Sequence, residues 1–229
     1  MMSGRRVAAW VARLTAYVRR RATPLTGEAA PLRAELFSAD HMEQHAKVLA
    51  RRHGTAIVGK RDHLLERLDD NERALLAACS LVTTAATAQC RITPAGAWLL
   101  DNYYLIEEQI RTARQHLPKG YSRELPRLAR GPSAGLPRVY DLALEVISHG
   151  DGRIDDETLL RFVAAYQTVH ELTLGELWAI PIMLRLALIE NLRRVGERIG
   201  TDRVHLNQAQ DWANRMSEVA DSDPTSLIL

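Results

Sequence analysis

The chain is poor in aromatics, holds two cysteines and has no long apolar run. Aromatic residues are 5% of 229, while Ala, Leu and Arg dominate. That balance favours helix over sheet. Cys79 and Cys90 sit eleven residues apart on one predicted Ala-rich helix. They are about three turns apart, too far to bridge, which excludes a disulfide scaffold. Both read as small buried or half-buried thiols in a reducing compartment. A bilayer span needs about 18 or more apolar residues. The longest candidate, Leu177 to Ile189, is interrupted by Pro181 and Arg185, and Arg13 breaks the apolar VAAWVARLTAYV as a signal-peptide core. A glycine-rich phosphate loop, a nucleophile elbow, a Cys-pair metal site, GxGxxG and a strand-borne Asp-x-Asp are all missing, so no familiar nucleotide or hydrolase signature is present.

What is present is ordinary for a folded chain: 46% apolar and 25% charged residues, enough for a real core. Net charge is +2 but uneven. Residues 1–34 carry Arg5, Arg6, Arg13, Arg19, Arg20, Arg21 and Arg33 against Glu28 alone, giving +6 there and −4 elsewhere. A globally basic surface is lacking, so nucleic acid is not an expected partner. Residues 4–21 form a basic amphipathic helix candidate with Val7, Trp10, Val11, Leu14, Tyr17 and Val18 apolar. Arg5, Arg6, Trp10, Arg13, Arg19, Arg20 and Arg21 are its membrane-surface candidates, suited to anionic lipid. The alternative is a frayed terminal helix with a solvated arginine face.

Punctuation residues divide the rest. Residues 1–21 are the basic helix, 22–37 a linker with Thr23-Pro24, Gly27 and Pro31, 38–220 a helical domain, and 221–229 a tail that reads as truncated. Ser38 caps a helix to about His53. Helix is predicted at 61–68 and at 71–89, continuing or restarting after Asp69-Asp70. Thr93-Pro94 starts one that runs to about His116. Tyr121 to Leu128 is a short helix or turn, and Gly131 to Pro137 a loop. Helices follow at 138–148 and, capped by Asp155, to about Val169. Thr173 and Glu176 form a capping box for a long helix to about Ile199, with Pro181 inside it. A last helix covers 204–219. The class is all-α, an irregular multi-helix bundle around a buried central helix at about 173–199.

That central helix is apolar almost all round from Leu177 to Ile189, as a buried helix is. Arg185 then needs a carboxylate, with Asp101, Glu107, Glu108, Glu124, Glu176 and Glu190 as candidates. The expectation is that the 93–116 helix supplies it. His41 and His45 share a face at i,i+4, but no third zinc ligand is evident, and they read as a surface pair. Glu107 and Glu108 point about 100° apart and read as salt-bridge scaffolding. Glu107 with Glu124 or Glu190 is the only glycosidic pairing to weigh. Trp98, Tyr103, Tyr104, Tyr121 and Tyr140 suit core packing first, and a sugar or partner surface second.

Four segments carry a family resemblance: PLRAELFSADHMEQHAKVLA at 31–50, WLLDNYYLIEEQIRTARQHLPKGYSRELPRL at 98–128, GLPRVYDLALEVISH at 135–149 and RFVAAYQTVHELTLGELWAIPIMLRLALIENLRR at 161–194. Together these resemble the N-terminal region of cyclic β-1,2-glucan synthases, bacterial inner-membrane proteins with a family-84 glycosyltransferase portion. The resemblance implies a parent that polymerises glucose from UDP-glucose, with the sugar-nucleotide site, membrane helices and phosphorylase-like portion further along. It places no catalytic residue, cofactor or metal in this segment.

The expectation is therefore a cytoplasmic helical module at the inner-membrane face, supporting or regulating downstream glycosyltransferase and membrane domains of the same protein. Trp98, Asp101, Glu107, Glu108, Arg111, Tyr121, Arg123, Glu124, Arg138, Glu176, Trp178, Arg185, Glu190 and Arg193 are expected to form a buried ion-pair and aromatic network, or a docking face. The rivals are a free-standing helical interaction protein at the membrane surface, and a helical carbohydrate-active enzyme using a carboxylate pair.

Overall fold

A computed structural model of the chain describes residues 35–56, 63–117 and 120–222. Among them the fold is all-α, with seven helices: α1 Ala39–Arg52, α2 His63–Thr87, α3 Pro94–His116, α4 Tyr121–Glu124, α5 Arg138–His149, α6 Asp156–Gln167 and α7 Leu174–Ser222. The basic helix expected at 4–21, with Arg5, Arg6, Trp10, Arg13, Arg19, Arg20 and Arg21, lies outside the described residues. So does most of the linker expected at 22–37.

Helices begin where local chemistry satisfies their first N–H groups. Ser38 Oγ accepts from the His41 N–H at 3.3 Å, Thr93 Oγ1 from Gly96 at 3.1 Å, and Asp155 from Thr158 at 2.8 Å. At α7 the capping box is reciprocal. Thr173 Oγ1 accepts from Glu176 N–H at 3.3 Å, and Glu176 Oε2 accepts from Thr173 N–H at 2.9 Å.

Three boundaries differ from the sequence reading. α2 continues through Asp69-Asp70, one of the two courses the sequence leaves open, but stops at Thr87 instead of about Gln89, which lies in the left-handed region at φ 55°. Cys90 therefore leaves the helix and is exposed, while Cys79 stays half-buried. The helices expected at 173–199 and 204–219 are one, α7. An internal glycine costs only about 1 kcal/mol relative to Ala. Gly200 is buried, and a Cβ placed there would lie 3.5 Å from Leu81. The third difference is a two-residue antiparallel pair where no strand was expected, β1 Thr55–Ala56 against β2 Arg127–Leu128, with Thr55 opposite Leu128. The 129–137 loop closes on β2, since Leu128 donates to the Leu136 carbonyl at 3.0 Å and accepts from Gly135 at 2.9 Å.

The described residues divide into two compact units, and α2, α3 and α7 contribute to both. In the larger, drawn from Thr26–Leu75 and Asn102–Val195, α1 packs along α6, and Met42, Ala46, Leu49, Phe162 and Ala165 of these helices are buried. The first part of α7 is its buried centre: Glu176, Ala179, Met183, Ala187, Ile189 and Glu190 are all at most 1% exposed. In the smaller unit, Ala78, Val82, Ala85 and Leu99 are buried, and Arg203 donates to the Arg91 carbonyl at 2.7 Å. Its α7 residues Leu206, Trp212 and Met216 are exposed.

Candidate functional site

Two fully buried carboxylates on α7 organise the larger unit. They lie fourteen residues apart, about four turns, so they share one face of the helix. Glu176 receives Arg138 of α5 in a two-pronged pair at 2.6 and 2.8 Å. Arg138 also donates to the Glu171 carbonyl at 2.7 Å and lies 6.0 Å from the Tyr166 ring centre. Burial alone would raise the Glu176 pKa, but Arg138 and the Thr173 cap outweigh it and hold the carboxylate below its usual range.

Glu190 sits in a cage of three guanidiniums. Arg67 of α2 donates through Nε at 3.1 Å and through Nη2 at 2.9 Å, Arg193 at 2.9 Å and Arg194 at 3.1 Å. Burial pushes its pKa up, yet Arg67 and Arg193 bring it down to about 2. Tyr140, buried beside Arg67 and Glu190, has its phenol held well above its usual value, by burial first and then by the Glu190 charge.

A third polar chain joins α1, α5 and α6. His53 Nε2 lies 3.1 Å from Asp141 Oδ2 and Nδ1 lies 2.9 Å from the Tyr166 hydroxyl. Asp141 also accepts from the Ser133 hydroxyl. The tautomer that satisfies all of these carries its proton on Nε2 and accepts Tyr166 O–H at Nδ1. Ser, His and Asp are all present, but the serine bonds the aspartate rather than the imidazole. A nucleophile needs its base on the hydroxyl, so this chain holds helices together and does not activate Ser133.

A fourth cluster has His45 of α1 facing Glu145 and His149 of α5. His45 Nε2 is 2.7 Å and His149 Nε2 3.3 Å from the same oxygen, Glu145 Oε2. His149 Nδ1 is 2.7 Å from the Glu35 carbonyl, and Phe37 stacks on its ring at 3.8 Å.

Of the residues singled out from sequence, the fold brings Arg138 to Glu176 and Arg193 to Glu190. Arg67 and Arg194, which complete the cage, were not singled out; Arg67 is 123 positions from Glu190, with no local signal. Arg185 is half-buried, and its contact is the His116 imidazole at 3.4 Å. α3 does reach it, as expected, but with a histidine instead of a carboxylate. The carboxylates proposed for Arg185 are elsewhere: Glu176 and Glu190 serve other arginines, and Asp101, Glu107, Glu108 and Glu124 are exposed. Arg111 and Arg123 are exposed as well, and Trp98 is 52% exposed. Trp98 and Asp101 belong to the smaller unit. Tyr121 donates to the Gly175 carbonyl at 3.2 Å.

The same residues bear on the glycosidic pairing. A general acid needs a raised pKa and a route to substrate. Glu190 has neither, because it is fully buried and its charge is neutralised three ways.

The larger unit also presents apolar surface. Leu174, Trp178 and Pro181 fall at i, i+4 and i+7, one face of α7, with Leu174 62% and Trp178 74% exposed. Pro181 continues this stripe into a groove of about 650 Å³ bordered by Ile154, Leu184, Leu188 and Arg185. No helix among the described residues is long and apolar enough to cross a membrane.

No protein-family model matches the chain. Among curated proteins it is similar to the cyclic beta-(1,2)-glucan synthase NdvB of Rhizobium meliloti (strain 1021), with 31% identity over 199 residues. That alignment takes in 86% of this chain but only 7% of the larger protein. The resemblance carried by the sequence motifs is thus matched by overall similarity, and the chain is a relative of one short segment of a cyclic β-(1,2)-glucan synthase.

Proposed function

We propose that the chain is a helical docking module of a cyclic β-(1,2)-glucan synthase. It holds or regulates the glycosyltransferase and membrane portions, which carry out glucosyl transfer from UDP-glucose. It works at the cytoplasmic face of the inner membrane, where the arginine-rich residues 4–21 meet anionic lipid. The observation that carries this reading is the exposed stripe of Leu174, Trp178 and Pro181 leading into an apolar groove. An exposed tryptophan beside other apolar side chains marks a surface meant to be covered. The aligned segment is 7% of its relative, and the proposed occupant is a neighbouring portion of such a larger parent. In support, the buried carboxylates are saturated by arginine and have no proton to exchange with a sugar.

Blotting source cells with an antibody to this chain is expected to reveal an inner-membrane product many times larger than 25.7 kDa. A soluble product near 25.7 kDa would favour a free-standing interaction protein. In the intact synthase, Leu174→Glu with Trp178→Glu should lower cyclic glucan output several-fold. The same pair should leave the stability of the isolated chain within about 0.5 kcal/mol per site. Unchanged output would refute the docking role of this face.

A further inference from the structure

We infer that His45, Glu145 and His149 form a binding site for a divalent transition-metal ion of the zinc class, stapling α1 to α5. The inference rests on the fold alone and is independent of the docking role.

The three side chains offer one ligand atom each, all within 4.8 Å of one another. Two imidazoles and a carboxylate are a donor set that zinc accepts. The protonation pattern singles this cluster out. A carbonyl oxygen can only accept, so the contact between His149 Nδ1 and the Glu35 carbonyl at 2.7 Å puts a proton on Nδ1. In the neutral ring that leaves the Nε2 lone pair facing inward, toward Glu145 Oε2 at 3.3 Å. Two acceptors then face each other, and the contact is satisfied by a proton shared between His149 and Glu145 or by a cation. A backbone carbonyl that orients an imidazole through its far nitrogen is the usual support behind a histidine ligand.

The spacing of the ligand atoms leaves room for the cation. Metal–nitrogen and metal–oxygen bonds of about 2.0–2.2 Å in a tetrahedron put ligand atoms about 3.3–3.6 Å apart. The His149–Glu145 separation of 3.3 Å already fits. The His45–Glu145 separation of 2.7 Å is a hydrogen bond, and it opens by well under an ångström when the ion replaces the proton on His45 Nε2. That proton moves to His45 Nδ1 or to solvent. Access is present, since the His45 and Glu145 side chains are 20% and 30% exposed. The ring of Phe37, stacked on His149 at 3.8 Å and edge-on to His45 at 5.4 Å, walls one side. Three protein ligands leave a fourth position for water. His41, the helical neighbour that sequence spacing pairs with His45, is exposed and lies outside the cluster.

The test is calorimetric titration of the purified, chelator-treated chain with zinc alone, with cobalt absorption as a report of four-coordination. One equivalent is expected to bind at micromolar or tighter affinity. At free zinc about 100 times the Kd, the folded-to-unfolded ratio should rise about 100-fold. His45→Ala and His149→Ala should each weaken binding by at least about 100-fold, beyond the 10–100-fold cost of losing a group that only orients a ligand. If His149→Ala fails to fold, Glu145→Gln takes its place, because it keeps the shape and removes the charge. His41→Ala should bind as the parent does. Binding that needs His41 and survives loss of Glu145 or His149 would overturn the site, as would no saturable binding.

Discussion

Glu190→Gln tests the arginine cage around a buried carboxylate directly. Glu190 is fully buried, with its carboxyl brought from an ordinary 4.5 down to about 2 by the surrounding guanidiniums. A depressed carboxylate stabilises the fold above its unfolded pKa, and that stability disappears as pH falls through the folded value. At about 1.4 kcal/mol per pH unit of difference, the contribution at pH 7 is about 3 kcal/mol. Roughly 2 kcal/mol of it is lost by pH 3 and nearly all by pH 1. Glutamine removes the charge but leaves Arg67, Arg193 and Arg194 facing one another, and breaking a buried pair costs about 3–5 kcal/mol. Urea unfolding followed by far-UV circular dichroism should therefore show Glu190→Gln less stable than the parent by about 3 kcal/mol or more at pH 7. The gap should narrow by roughly 2 kcal/mol at pH 3. Glu176 and the remaining carboxylates titrate in both proteins and cancel in the difference. Equal midpoints at pH 7, or a gap that does not change with pH, would refute the view that these ion pairs stabilise the fold.

Arg138→Met strands Glu176 without its two-pronged partner and should cost about 3–5 kcal/mol at pH 7. Arg138→Met with Glu176→Leu should recover most of that, as measured by urea midpoints. Gly150→Ala places a Cβ 2.6 Å from the Arg153 carbonyl oxygen and 2.9 Å from that of Val146. Both are backbone atoms, so the α5 terminus must shift, and a lowered melting temperature corresponding to about 1–3 kcal/mol is expected. Cys90 is exposed and Cys79 half-buried. Thiol labelling of the folded chain should therefore proceed in two phases, with Cys90→Ser removing the fast one.

Much of the helical framework is legible without coordinates. Ser38, Thr93-Pro94, Asp155 and the Thr173–Glu176 pair mark helix starts, because capping is chemistry between residues three apart. Continuity through Gly200 was not legible. A glycine reads locally as an end, and only the nearness of Leu81 shows it to be a packed interior position. The candidate network was half legible. The apolar run around Arg185 points to that arginine, yet the fully buried carboxylates of α7 that carry ion pairs are Glu176 and Glu190.

Local patterning is enough for the class of the fold, its helix starts, the largely buried stretch from Glu176 to Glu190 and the likeness to glucan synthases. All of these depend on periodicity, capping and short motifs, which act over a few residues. Which charges meet across long stretches of chain depends on the tertiary packing. Arg67 reaches Glu190 across 123 positions and His45 reaches Glu145 across 100. Such pairings are set by how helix faces pack, because a buried charge must find its counter-charge wherever packing brings one, and chain separation carries no trace of it.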